Sequence, residues 1–278
     1  MKSLLKFPLF AFLILSIFGC KKQTSLLTSQ KDQRKKIEIA TNYGSMIIEL
    51  YNETPLHRDN IINLAKNNAY DSLLFHRVIN KFMIQAGDPN SKDAKLEKAL
   101  GNGDLPYLID AEFNPKLFHK KGVLGAARDD NFEKASSGMQ FYIVQGAIVN
   151  DSILTLTEER INQNMAREYF RKNSKKKSLL DSLKNAKDQK NTQQYNVLLD
   201  SILDIAKTEK SFKPFHIPKK HREIYKSVGG VPYLDQSYTV FGEVVEGLNI
   251  IDSIANVPTN SLDRPIENVI IQEVRLLN

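Results

Sequence analysis

Residues 75–88 read Phe75-His76-Arg77-Val78-Ile79-Asn80-Lys81-Phe82-Met83-Ile84-Gln85-Ala86-Gly87-Asp88. Two short runs rich in aromatic and β-branched residues flank Asn80-Lys81, so the stretch reads as two strands joined by a tight turn. Phe75, Val78, Ile79 and Phe82 are core candidates, with Arg77 and Gln85 as polar residues among them. Side chains alternate across a strand, so His76 is expected to point away from the face presenting Arg77, as a structural, hydrogen-bonded histidine. Upstream, residues 37–41 (IEIAT) and 45–51 (SMIIELY) are β-rich runs around Asn42-Tyr43-Gly44, which predicts a hairpin. Thr54-Pro55 places a capping residue before a proline at the first helical position, and Ile61, Ile62, Leu64 and Ala65 mark the buried face of the helix that follows.

Downstream lie Gly122-Val123-Leu124-Gly125-Ala126-Ala127-Arg128, Gly138-Met139-Gln140-Phe141-Tyr142-Ile143-Val144 and Tyr233-Leu234-Asp235-Gln236-Ser237-Tyr238-Thr239-Val240-Phe241-Gly242. With these, the 75–88 stretch closely resembles the signature blocks of cyclophilins, in the family's order. That family commonly reads F-H-R-V-I followed by F-M-I-Q-G-G-D, and Ala86 stands where the first of those two glycines is usual. The resemblance covers about 160 residues, 36–147 and 229–278. It implies a mainly β fold: a closed eight-stranded antiparallel barrel with two flanking helices. It also implies a peptidyl-prolyl cis/trans isomerase without cofactor or metal.

The residues suit that chemistry. Rotation about an X–Pro amide is opposed by about 18–20 kcal/mol because resonance gives the C–N bond double-bond character. No covalent bond breaks, so catalysis needs only tighter binding of the twisted amide than of the planar one. Twisting localises a lone pair on the prolyl nitrogen, and a fixed cation donating a hydrogen bond there opposes resonance. Arg77 is the candidate catalytic residue. By resemblance, Phe82, Met83, Tyr142 and Leu234 line the proline pocket, and Gln85, Ala127 and Gln140 hold the substrate chain. Arg128 and Tyr238 replace the asparagine and histidine of the eukaryotic pattern, phenylalanine is usual where Tyr142 sits, and Tyr233 replaces the tryptophan of cyclosporin-binding members.

Residues 148–228 interrupt the family pattern. Thr155-Leu156-Thr157-Glu158 reads as a capping box, and Ile161, Met165 and Tyr169 recur at i+4. A basic run, residues 171–177, precedes a second amphipathic segment carrying Tyr195, Leu198, Leu199, Ile202, Leu203 and Ala206. The expectation is an inserted α-helical hairpin with the basic run near its turn, then a short helix from Pro218 to Gly229-Gly230. Because loop length costs little, replacing 151–228 with a linker is expected to leave a folded, active barrel.

The N-terminus reads as an address. Lys2 and Lys6 precede an apolar run, residues 7–18, and then Gly19-Cys20. Twelve residues are short of the roughly 20 that span a bilayer, so 1–19 reads as a signal peptide. Ile17-Phe18-Gly19-Cys20 resembles a bacterial lipobox, which implies lipidation of Cys20; Phe18 departs from the small residue usual there. Residues 20–35 then form a flexible tether. Lys21 is not the aspartate that often signals inner-membrane retention, which points to a lipid anchor in the outer membrane facing the periplasm.

With 41% hydrophobic and 26% charged residues, the chain is globular in composition. The net charge of +7 resides wholly in residues 151–228, which hold 17 Lys and Arg against 10 Asp and Glu, leaving 22 of each sign elsewhere. An exported chain whose basic run lacks interleaved aromatics is not read as a nucleic-acid binder. Cys20 is the single cysteine, and the five histidines form no metal-binding spacing. The expected partners are proline-containing unfolded or exported proteins and, through lipid, a membrane; a monomer is expected. The competing reading is a non-catalytic chaperone or proline-binding scaffold using the same groove.

Overall fold

β1 (Lys36–Thr41) and β2 (Gly44–Leu50) form the expected hairpin. Ile37, Ile39 and Thr41 alternate inward and meet Met46, Ile48 and Leu50, all buried, as a strand period of two requires. Gly44 closes the turn at φ 122°, a conformation that side chains resist. The computed structural model describes residues 33–172 and 176–277. The segment expected as signal peptide, Cys20 and the expected tether up to residue 32 lie outside those residues. No described helix is long and apolar enough to cross a membrane.

α1 (Pro55–Lys66) begins at the expected proline and buries Ile61, Leu64 and Ala65, while Ile62 is only partly buried. The expected cap differs: the Thr54 hydroxyl is buried without a partner. The Glu112 carboxylate instead accepts the N–H groups of Leu56 and His57, each at 3.0 Å, and supplies negative charge where the helix dipole favours it.

The remaining strands are β3 (Arg77–Ile79), β4 (Met83–Ala86), β5 (Leu108–Ile109), β6 (Val123–Ala126), β7 (Ser136–Ser137), β8 (Phe141–Val144), β9 (Val240–Glu246) and β10 (Ile271–Leu277). Eight of them form an antiparallel sheet in the order β10-β1-β2-β9-β6-β8-β4-β3, and β5 pairs with β7. The sheet is an open half-barrel rather than the closed barrel expected. Its edges meet ahead of β3, where Ser72 and Leu73 exchange 2.8 Å backbone bonds with Ile271 at the start of β10, Leu74 bridges Ile270, and the Phe75 N–H donates to the Val269 carbonyl at 2.9 Å. Beyond that point the Val78 N–H donates to the Asp263 carbonyl at 2.8 Å. The loop before β10 thus takes the edge of β3 that a closing strand would need.

Alternation along the inner strands divides the core. Ile84, Ala86, Phe141 and Ile143 join the main cluster with Tyr70 and Phe75. Met83, Tyr142 and Val144 face the other way, with Val123, Leu234 and Val240.

The insertion folds as α2 (Asp151–Lys172), α3 (Lys177–Asp188), α4 (Thr192–Thr208) and α5 (Lys219–Ser227), and α6 (Leu248–Ala255) follows β9. It is therefore larger than the expected hairpin, because α3 fills the space after the basic run. α2 starts before the expected capping box: Asn150 Oδ1 accepts the Ile153 N–H at 2.9 Å, while Thr155 lies one turn into the helix and donates to the Asp151 carbonyl. Ala166, Phe170, Leu183, Ile202, Leu203, Ala206 and Phe212 give these helices a core of their own. Helix exceeds strand among the described residues, so the fold is not mainly β.

Candidate active site

Sheet register sets four residues in one row. Arg77 on β3 pairs with Gln85 on β4, Gln85 with Tyr142 on β8, and Tyr142 with Gly125 on β6. The row runs beneath a groove of about 280 Å³, also lined by Phe82, Met83, Ala127, Arg128, Leu234 and Tyr238. Every groove residue read from the sequence is there except two. Tyr233 stands at the rim, 54% exposed, its ring stacked 5.9 Å from that of Phe82. Gln140 lies behind Gln85 and lines an adjoining recess.

Arg77 is held loosely at the mouth of the groove. Its Nη1 donates to Gln85 Oε1 at 3.4 Å, and its Nε lies 3.7 Å from Asp263 Oδ2. Gln85 Nε2 donates to Gln140 Oε1 at 3.0 Å, and Gln140 Nε2 donates to the carbonyls of Gly101 and Gly103. The glutamine that would touch substrate is thereby fixed by a second glutamine and by loop backbone. On the opposite wall the Arg128 guanidinium sits 4.6 Å above the Tyr238 ring while its Nε donates to the Ser237 carbonyl.

Tyr142 belongs to a buried polar chain that the sequence did not announce. Asp235 Oδ1 accepts from the His119 N–H at 3.0 Å and from His119 Nδ1 at 2.7 Å, and its Oδ2 accepts from the Tyr225 hydroxyl at 2.8 Å. A carboxylate can only accept, so Nδ1 carries a proton; in the neutral imidazole Nε2 is left to accept from the Tyr142 hydroxyl, 2.8 Å away. Burial pushes the Tyr142 and Tyr225 phenols well above their usual range, which keeps both hydroxyls protonated to donate. Tyr225 lies on α5, so a residue of the insertion connects through Asp235 and His119 to the groove. Sequence distance hid this chain: 23 residues separate His119 from Tyr142, and 116 separate it from Asp235.

His76 is buried but not hydrogen-bonded as expected: neither ring nitrogen has a partner. Burial pushes its pKa down to about 4, against the opposing charge of Asp88 and the nearby Leu74 carbonyl. It also lines the groove together with Leu100, Gly101, Asn102, Asp129 and Leu262, none of which carries a sequence signal beyond its neighbourhood.

Comparison with known proteins gives the family. Residues 36–201 and 159–276, in two overlapping matches, fit the family described as cyclophilin type peptidyl-prolyl cis-trans isomerase/CLD. A Staphylococcus haemolyticus protein provisionally named peptidyl-prolyl cis-trans isomerase is 27% identical over 88% of this chain and 92% of its own length. A Staphylococcus aureus relative, so named, is 28% identical over 86% and 90%. Among solved structures, a cyclophilin type peptidyl-prolyl cis-trans isomerase of Cryptosporidium parvum matches with a TM-score of 0.51 at 18% identity, covering 88% of this chain and 98% of that one. Another crystal structure of that protein, in the presence of the dipeptide Ala-Pro, matches with a TM-score of 0.50. The chain belongs to the family of cyclophilin-type peptidyl-prolyl cis-trans isomerases.

Proposed function

We propose that this chain isomerises X–Pro bonds in exported proteins while held by lipid on Cys20 at the periplasmic face of the outer membrane, as a monomer. The observation that carries the catalytic part is the position of Arg77, in the row beneath the groove, with contacts long enough to leave most of its five N–H donors for substrate. The proline ring enters among Phe82, Met83, Tyr142 and Leu234. The substrate backbone runs past Gln85 and Ala127, and Arg77 donates to the prolyl nitrogen as the amide twists. One charge-assisted hydrogen bond of this kind is worth about 2–3 kcal/mol, roughly a hundredfold in rate.

A protease-free exchange assay on an X–Pro peptide tests this directly. Arg77→Ala should lose about a hundredfold in rate with unchanged circular dichroism. Near-normal turnover by that variant would overturn the assignment. The address is supported by the short apolar run ending at Gly19-Cys20. Labelled palmitate should appear on the parent protein and not on Cys20→Ser, and an intact residue 1–19 segment in membrane-extracted protein would overturn the lipid anchor.

A further inference from the structure

A second cleft, of about 360 Å³, opens between α2, α3 and α4 of the insertion. Arg167 and Arg171 of α2 and Lys184 and Lys187 of α3 surround it, against the two carboxylates of Asp130 and Asp181. At the neck of the insertion Arg222 and Lys226 pair with Asp151, and Arg222 also with Glu158. Around the cleft none of the four cations has a carboxylate within 4.0 Å among the described residues. Glu168, on the same helix, pairs with Lys134 instead, at 2.9 Å. Arg167 Nη1 donates to the Tyr195 hydroxyl, but its Nε is buried with no acceptor at all. The cleft thus presents four cations without an ion-pair partner among the described residues, one of them holding a desolvated, unpaired donor that an anion would satisfy.

The cleft also adjoins the groove. Arg128 and Asp129 line the groove, and the next residue, Asp130, lines the cleft. α2 is pinned to this loop by Lys134–Glu168 and by Arg171 and Lys172, which lie 5.8 and 5.4 Å from the Phe132 ring centre. A chain leaving the groove past Asp129 therefore meets the cleft at the next residue, Asp130. We infer that the cleft is an extended subsite that binds an acidic segment flanking the isomerised proline of a client polypeptide. This rests on the isomerase reading above.

The test uses the full-length protein and two labelled peptides sharing one X–Pro core, one flanked by serines and one by glutamates. Binding is read by fluorescence anisotropy and turnover by exchange spectroscopy. The acidic peptide should bind about tenfold more tightly at low salt, and the preference should fade as the screening length falls below about 10 Å. Lys184→Glu with Lys187→Glu, both exposed and away from the groove, should abolish the preference while leaving binding and turnover of the serine peptide unchanged. Equal binding of the two peptides by the parent protein would overturn the proposal. So would a variant that loses only binding to phosphatidylglycerol vesicles, which would assign the cleft to a lipid surface. Acidic preference without turnover would uphold the subsite and overturn the catalytic reading instead.

Discussion

Asn162 and Phe215 hold each other twice: Asn162 Nδ2 donates to the Phe215 carbonyl at 2.9 Å, and the Phe215 N–H donates to Asn162 Oδ1 at 2.7 Å. They divide the insertion into a neck and a head. Below the pair, Leu154, Ile217 and Tyr225 pack on Phe118 of the barrel; beyond it, the head has its separate core. Removing all of 151–228, as the sequence invited, would take away Tyr225, which is fully buried and bonded to Asp235. Replacing 164–213 with a short Gly/Ser linker should instead leave the melting temperature within a few degrees and turnover of a tetrapeptide intact. The 151–228 deletion should lose several kcal/mol, as expected for an exposed core and an unpartnered buried carboxylate oxygen. Denaturant unfolding of both proteins checks this, and equal stability would erase the distinction between neck and head.

The Tyr142–His119–Asp235–Tyr225 chain predicts coupling between the insertion and the groove. Tyr142→Phe strands His119 Nε2, and Tyr225→Phe strands an Asp235 oxygen, each at about 1–3 kcal/mol of stability. If the chain positions Tyr142 for substrate, the two substitutions should be non-additive in kcat/KM, by about 1 kcal/mol, on an X–Pro peptide. Strict additivity in a double-mutant cycle would show that Tyr225 serves stability alone.

Gly125 gives a sharper steric test. A Cβ added there would lie 2.6 Å from Tyr142 Cε2. Gly125→Ala must push the tyrosine ring out of the groove, with an overpacking cost of about 1–3 kcal/mol. Adding Tyr142→Leu should relieve the clash and, because it leaves His119 Nε2 unpartnered, restore the melting temperature only in part and turnover not at all. Recovery of both would mean that the Tyr142 ring is dispensable to catalysis.

His76 predicts a pH window. Its folded pKa is about 4, below the 6.5 of a free histidine. Between these values the unfolded chain binds the extra proton, so stability should fall as pH drops from 6.5 towards 4, by up to about 3 kcal/mol. His76→Phe should flatten that slope. In Glu112 burial raises the pKa, but hydrogen bonds from His57 and from two backbone N–H groups outweigh it, so its folded pKa lies below 4.5 and its contribution is lost at lower pH. Urea titrations at several pH values separate the two, and an unchanged slope in His76→Phe would rule out His76 as the titrating group.

The groove was readable from the sequence because its residues lie in short contiguous blocks that resemble the family's signature, where periodicity alone gave only strands and helices. Cross-strand pairing then brings Arg77, Gln85 and Tyr142 into one row. What stayed hidden depends on long-range pairing: Glu112 capping α1 from 55 residues away, Asp235 joining His119 to Tyr225, and Asp263 beside Arg77. α3 was obscured by composition, since the charges from Arg171 to Lys177 look like a turn. The open edge of the sheet could not be seen either, because it depends on where the 258–266 loop docks against Val78.

The roots of the insertion are pinched together. The Gly230 N–H donates to the Ala147 carbonyl at 3.0 Å, and a Cβ on Gly146 would come within 2.6 Å of the Gly230 carbonyl carbon. The chain therefore leaves the barrel and returns at almost one point, and the entropy of closing that loop is settled locally whatever lies beyond. Such a junction is a grafting port. An unrelated domain with neighbouring termini can be spliced in beyond the Asn162–Phe215 clasp, and the barrel would carry it beside its groove as readily as it carries the helices.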